Sequence, residues 1–160
     1  MYVYIMLPKI KNNQTIRTPK IHPEFDFKLN FDGCSKGNPG LSGAGAVIYC
    51  LDDEIWADSL FVGTNCTNNY AEYSGLIFGL NKAIEMKIKK LLVIGDSLLV
   101  INHMKGIYRC NSINLMPLFN KAKDLEKQFD SISYEHILRN KNKRADALSN
   151  IAIDKNSLSL

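Results

Sequence analysis

Close cysteine pairs and clustered histidines are both missing from this chain. Its four cysteines, Cys34, Cys50, Cys66 and Cys110, stand far apart with no C-x-x-C among them. Structural zinc and redox dithiols need such pairs, so neither is supported, and free thiols in a reducing compartment are expected. The three histidines, His22, His103 and His136, are equally scattered. No run approaches the roughly 20 apolar residues that a membrane helix requires. The opening MYVYIMLP has no basic start and no small-residue cleavage site, so it does not read as a secretion signal. Neither G-x-x-x-x-G-K-[ST] nor a proper G-x-G-x-x-G occurs, which disfavours a nucleotide-binding enzyme. A soluble, intracellular protein with no membrane partner is the expectation.

What is present suits one globular domain. The chain has 160 residues, 46% of them hydrophobic and 22% charged, enough to close a core without staples. Its net charge of +4 permits a nucleic-acid partner without requiring one. Residues 1–24 carry Pro8, Pro19 and Pro23 and no sustained periodicity, so they are set apart as an N-terminal extension, with Tyr2 to Leu7 as one short strand. The domain is expected over 25–156, followed by a tail at 157–160.

Within it, Phe25, Phe27, Leu29 and Phe31 alternate with polar residues, the period of a strand with one apolar face. Asn-Pro-Gly at 38–40 marks a turn. Further strands are predicted over 44–50 and 54–62, completing an antiparallel meander. Leu76, Ile77, Leu80, Ala83 and Ile84 give the stripe of an amphipathic helix over 69–87. Residues 91–95 read as a strand buried on both faces. Helices near 98–105 and 115–129, a strand near 132–138 and a helix over 142–154 follow. The sum is a mixed-sheet α/β domain.

Four carboxylates sit in odd places for a core. Asp32 ends a strand and enters a Gly-rich turn, and Asp96 follows the buried strand LLVIG. Ligand sites in α/β sheets gather outside such strand ends. Glu72 lies one turn before Leu76 on the same helical stripe, and Asp146 falls in the first turn of the last helix. Singly, each has a structural explanation: turn residues for the first two, a helix dipole for Asp146, and an Asn69-x-x-Glu72 capping box. Jointly, four converging acids would repel one another and push their pKa values up unless cations compensate. Hard divalent ions with oxygen ligands, Mg²⁺ above all, are the natural compensators beside phosphates.

Four motifs carry these acids in order: FDGCSKGNPG with GAGAVIY, TNNYAEYSGLIFGL, IGDSLLVINHMKG and RNKNKRADALSNIA. Together they make the chain from about Phe27 to Asp154 resemble type 1 ribonuclease H, in the short form without a basic protrusion. The resemblance implies a ribonuclease H-like fold, a five-stranded mixed sheet with its first three strands antiparallel and helices on both faces. It implies hydrolysis of the RNA strand of RNA–DNA hybrids, leaving 5′-phosphate and 3′-hydroxyl ends. It places two Mg²⁺ ions, with Mn²⁺ able to substitute, on Asp32, Glu72, Asp96 and Asp146. Asn68 and Asn69 match positions that contact 2′-hydroxyls and bases, Thr67 one near the DNA phosphate, and Ser97 a further substrate contact. The backbone of Gly33, Cys34 and Ser35, joined by Asn38, would approach the RNA strand, which Gly33 permits by having no side chain. RNA is told from DNA by its 2′-hydroxyl, and an amide can both donate to it and accept from it.

Two departures from the family pattern matter, the shortened histidine loop and the missing basic protrusion. The glycine-containing histidine loop of longer relatives is reduced to RNKN, and the resemblance to short-loop relatives, in which an arginine fills that place, points to Arg139, seven residues before Asp146. A guanidinium cannot act as a base near neutral pH, so its role would be electrostatic. His136, in the strand-like YEHIL, reads as structural. Lys105, Arg109, Lys141, Lys143 and Arg144 could hold phosphates without sequence preference. A nuclease that also cuts double-stranded RNA and a non-catalytic nucleic-acid module stand as alternatives. A superfamily exonuclease is disfavoured, because it would show Asp-x-Glu where this chain has Asp32-Gly33-Cys34.

Overall fold

The computed structural model of the protein describes residues 25–157. The extension at 1–24, with its expected strand at Tyr2 to Leu7, and the last three residues lie outside the described residues. Five strands form one sheet in the order β3-β2-β1-β4-β5. The first three, β1 (Phe27–Gly37), β2 (Gly40–Cys50) and β3 (Asp53–Cys66), are the antiparallel meander. Helix α1 (Asn68–Glu85) then crosses back so that β4 (Lys90–Gly95) lies parallel to β1. Helices α2 (Leu98–Met104) and α3 (Met116–Glu126) return the chain to β5 (Ser131–His136), parallel to β4. A single 3₁₀ turn at Arg139–Lys141 leads into α4 (Lys143–Ser157). No helix among the described residues is long and apolar enough to cross a membrane.

The alternation read in β1 sorts the two faces. Leu29 and Phe31 are fully buried against Leu76, Leu80 and Ala83 of α1, with Leu91 and Val93 of β4 in the same cluster. On the other face Val47 packs with Ala145 and Leu148 of α4. The sheet is thus covered on both sides, and β4 is buried on both, as its continuous apolar run requires.

The first hairpin is longer than its pattern suggested. Strands β1 and β2 pair without interruption from Phe27 with Cys50 to Gly37 with Gly40, so the glycine-rich stretch before Ala44 is paired strand and not loop. Glycines there erase the two-residue hydrophobic period that marks a strand, because their faces are covered by helix backbone instead of by side chains. The capping expectation at α1 also changes. Thr67 is the N-cap, its hydroxyl accepting from the Tyr70 N–H at 3.2 Å, and Asn68 and Asn69 already lie in the first turn. Thr67 has the extended backbone that a cap needs, with φ −77° and ψ 161°.

Candidate active site

Strand β1 is the switch point of the sheet, with an antiparallel neighbour on one side and a parallel one on the other. Pairing with β4 ends at Phe31 with Gly95, and beyond it the two strands diverge. Asp32 and Asp96 are the first residues past that last pair. Glu72 comes from the second turn of α1 and reaches the same crevice. One ligand oxygen from each of the three carboxylates lies within 4.8 Å of the others. Asp32, Gly33, Cys34, Asn68, Glu72, Asp96, Ser97 and Arg139 line the cleft around them.

Glycines bring these elements together. A Cβ at Gly33 would stand 2.1 Å from the backbone carbon of Ala71 and 2.2 Å from the Glu72 nitrogen. The bareness of Gly33 therefore lets α1 lie directly on it. Glu72 reaches Asp32 because of that contact. On the opposite face α4 lies as closely on β2, where a Cβ at Gly45 would meet the Ala145 carbonyl oxygen at 2.5 Å.

Burial and mutual repulsion dominate the electrostatics. Asp32 is 4% exposed, and its carboxyl is pushed up to about 7 by burial first and then by the charges of Asp96 and Asp146. Ser149 and the Gly33 N–H oppose the shift. Glu72 is raised well above the ordinary range by burial, then by Asp32 and Asp96. Its Oε2 atom is buried with no hydrogen-bond partner among the described residues. A buried carboxylate oxygen without a donor is costly, and a cation removes the cost. Three oxygen donors with one of them orphaned fit a hard divalent cation.

Asp146 stands slightly apart. Its Oδ1 accepts from the Arg139 Nη2 at 3.1 Å, and it lies outside the three-carboxylate cluster while still raising Asp32. Arg139 is held by this pair and faces the same cleft, with its side chain 77% exposed. His136 donates from Nε2 to the Asp96 carbonyl oxygen at 3.1 Å, fixing the turn after β4. Arg144 makes a two-pronged contact with Glu54, at 3.0 and 2.9 Å, which engages one cation that had been a phosphate candidate.

The residues expected to meet the substrate are linked to one another. The Ser35 N–H donates to Asn68 Oδ1 at 3.2 Å, and the Asn68 N–H donates to Asn38 Oδ1 at 3.0 Å. Thr67 and Ser97 both cap helices at the cleft, Ser97 accepting from the Val100 N–H at 3.3 Å. Asn69 is exposed in the first turn of α1.

Two site residues escaped the sequence reading. Asn142 is 2% exposed and donates to the Phe31 carbonyl oxygen at 2.8 Å, pinning the chain before α4 beside Asp32. Ser149 is fully buried with its Oγ 2.9 Å from Asp32 Oδ2. A small polar residue on the inner face of the last helix was the available signal, and nothing local distinguishes it from a packing serine.

A switch-point cleft with converging acids defines a class of metal-fitted α/β proteins, and the comparisons name the family. A family model described as reverse transcriptase-like matches residues 30–152. A bifunctional protein of Mycobacterium tuberculosis is 40% identical over 127 residues, covering 79% of this chain and 35% of its own. The chain thus spans about a third of that relative. The crystal structure of RNase H1 from Halobacterium salinarum superposes with a TM-score of 0.77 at 35% identity, covering 81% of this chain and 98% of that one. LC11-RNase H1, solved in complex with RNA/DNA hybrid, gives 0.76 at 32% identity, covering 81% and 97%. The chain belongs to the type 1 ribonuclease H family.

Proposed function

We propose that the protein is an endoribonuclease that hydrolyses the RNA strand of RNA–DNA hybrids. The observation that carries this reading is the convergence of Asp32, Glu72 and Asp96 in a cleft edged by Asn68 and the β1 backbone. A relative of the same fold, LC11-RNase H1, was solved with RNA/DNA hybrid, which supports the same substrate class here.

Asp32, Glu72, Asp96 and Asp146 would hold two Mg²⁺ ions, with Mn²⁺ able to take their place. When bound, these ions supply charge neutralisation and Lewis acidity at the scissile phosphate. The remaining work falls to the chain. Asn68 Oδ1 is engaged by Ser35, which leaves the Nδ2 donors for a 2′-hydroxyl. Thr67 stands at the start of α1, next to where the DNA strand would run. Water adds to phosphorus as the bond to O3′ breaks, and the O3′ atom takes up a proton. The products are a 5′-phosphate and a 3′-hydroxyl. Arg139, already paired with Asp146, offers a fixed positive charge to the departing phosphate.

A labelled-strand cleavage assay tests the reading, with RNA–DNA hybrid, double-stranded RNA and double-stranded DNA offered in Mg²⁺, Mn²⁺ or EDTA. Metal-dependent cutting confined to the RNA of the hybrid is expected. Cutting of both RNA-containing duplexes would broaden the substrate class. Tight binding without cutting would make the protein a binding module.

A further inference from the structure

Ser149 sits on α4 three residues after Asp146, so the two share one face of the helix. It is fully buried; its Oγ has two oxygen acceptors within reach, Asp32 Oδ2 at 2.9 Å and the Asp146 carbonyl oxygen at 2.8 Å, and the Cys34 thiol lies beside it. One hydroxyl proton serves one acceptor at a time. The Asp146 carbonyl has another donor, the Asn150 side-chain amide at 2.9 Å. A hydrogen bond to an ionised carboxylate is stronger than one to a neutral carbonyl. Whenever Asp32 carries its charge, the proton therefore goes to Asp32.

The placement is built into the sheet. Asp32 pairs across the hairpin with Gly45, and Cys34 with Gly43. A Cβ at Gly43 would meet the Ser149 carbonyl oxygen at 2.3 Å, and one at Gly45 would meet the Ser149 nitrogen at 2.8 Å. Two glycines thus lower α4 onto β2 at the level of Asp32, and the hydroxyl arrives at hydrogen-bond distance. An acid held on one oxygen turns less freely about its last torsion.

The geometry points to Ser149 as a positioning residue for metal binding, fixing the orientation of the Asp32 carboxylate through a donated hydrogen bond. The inference rests on the metal-site reading above. Partners behind a metal ligand of this kind typically alter affinity by about 10–100-fold when removed. Among the described residues, Asp32 alone of these acids has a side-chain hydroxyl from α4 against it, whereas Glu72 Oε2 has no hydrogen-bond partner there. Asp32 is therefore the pre-set ligand of the cluster.

Calorimetric titration of Mn²⁺ into the full chain at neutral pH tests this without turnover. Ser149→Ala should weaken binding about tenfold. Ser149→Thr, which keeps the hydroxyl, should bind within about twofold of the natural chain, because its donor survives. Circular dichroism establishes that each variant is folded. Should the alanine variant not fold, Ser149→Cys, kept reduced with TCEP because Cys34 lies beside position 149, carries the same expectation, since a thiol is a weak donor of similar size. An alanine or cysteine variant that binds Mn²⁺ as the natural chain does would overturn the role of Ser149 alone. A folded threonine variant as weak as the alanine one would overturn it too, by showing that packing and not the hydroxyl matters. A natural chain that binds no Mn²⁺ would overturn the metal reading and this inference with it.

Discussion

Gly45 lies directly across the hairpin from Asp32, and the backbone of α4 fills the space that a side chain on Gly45 would take. A Cβ there would stand 2.5 Å from the Ala145 carbonyl oxygen and 2.6 Å from the Leu148 Cβ. Neither can yield without moving the helix that carries Asp146. Gly45→Ala should therefore cost about 1–3 kcal/mol through overpacking. For a domain of this size that lowers the melting temperature by roughly 3–10 °C. Hybrid cleavage measured well below the melting point should also fall, because Asp146 and Ser149 shift with α4. A variant with natural melting and natural rate would show that α4 has slack to give.

Asp96 tests the site with the least disturbance of shape. It is only half-buried at the end of β4, so an amide of the same outline is accommodated. Asp96→Asn should reduce hybrid cleavage by at least about 10³-fold, roughly 4 kcal/mol of transition-state stabilisation. Circular dichroism and melting should remain those of the natural chain. A variant cleaving within tenfold, that is about 1.4 kcal/mol, would remove Asp96 from the proposed machinery.

The acids proposed to hold metal destabilise the fold when they are ionised without a cation. Asp32 has an ordinary value of 3.8 and is raised to about 7 in the folded chain, with Glu72 raised in the same sense. Between those two pH values the folded protein holds more protons than the unfolded one, so stability is fully present below about 4 and falls as pH rises towards 7. In EDTA the melting temperature should drop across this window. Saturating Mg²⁺, which binds the ionised acids of the folded state, should restore it at the upper end. Asp32→Asn should be more stable than the natural chain in EDTA at pH 7.5, by about 1–3 kcal/mol, because it removes an uncompensated buried charge. A melting curve in EDTA that is flat with pH would refute this account of the cluster.

The order of elements was open to reading from the residues because it rests on periodicity. Leu29 and Phe31, Leu76 and Leu80, and the run from Leu91 to Val93 each announce a buried face, and all are fully or almost fully buried. Asp32, Glu72 and Asp96 were legible as acids at strand ends or on a core stripe, and the motifs gave them a family. What stayed hidden depends on contacts between distant segments. The hairpin arms at 33–45 look like loop because glycines carry no pattern, and their partner is helix backbone more than a hundred residues on in the case of Gly43 and Ser149. Asn142 and Ser149 matter through the Phe31 carbonyl and the Asp32 carboxylate, 111 and 117 residues away. No local pattern encodes such a pairing. Asp146 likewise stands outside the cluster of the other three acids and pairs with Arg139, a geometry that sequence order does not set.

Arg139 is bound to its carboxylate by an exposed contact at 3.1 Å. Exposed pairs contribute about 0–1 kcal/mol, so Arg139→Ala should barely move the melting temperature. Its loss removes a fixed cation beside the cleft and leaves Asp146 without its partner. Turnover should slow by about tenfold, roughly 1.4 kcal/mol, with KM for the hybrid changed far less. Arg139→Lys should recover only part of the rate, because an ammonium lacks the planar fork that guanidinium offers to phosphate. Single-turnover rates close to natural beside a slowed steady state would assign Arg139 to product departure. An unchanged steady-state rate would retire it from the reaction.

Asn68 joins the cleft to the hairpin in both directions. Its side-chain oxygen accepts from Ser35, and its backbone N–H donates to the Asn38 side chain. Asn68→Ala therefore deletes the proposed donor to the 2′-hydroxyl and also frees the Ser35 N–H. The residue is exposed and follows the Thr67 cap, so the fold should be kept to within about 0.5 kcal/mol. Losing a hydrogen bond to a substrate hydroxyl costs about 0.5–1.5 kcal/mol, which is roughly a two- to tenfold fall in kcat/KM on the hybrid. The same substitution should leave binding of double-stranded DNA where it was, because that duplex has no 2′-hydroxyl to lose. Competition between hybrid and DNA duplex, read as a ratio of affinities in the natural chain and the variant, makes the comparison at one salt concentration. An unchanged ratio would place recognition of the 2′-hydroxyl on Asn69 or on the backbone of Gly33 to Ser35, and those positions would then be probed in turn.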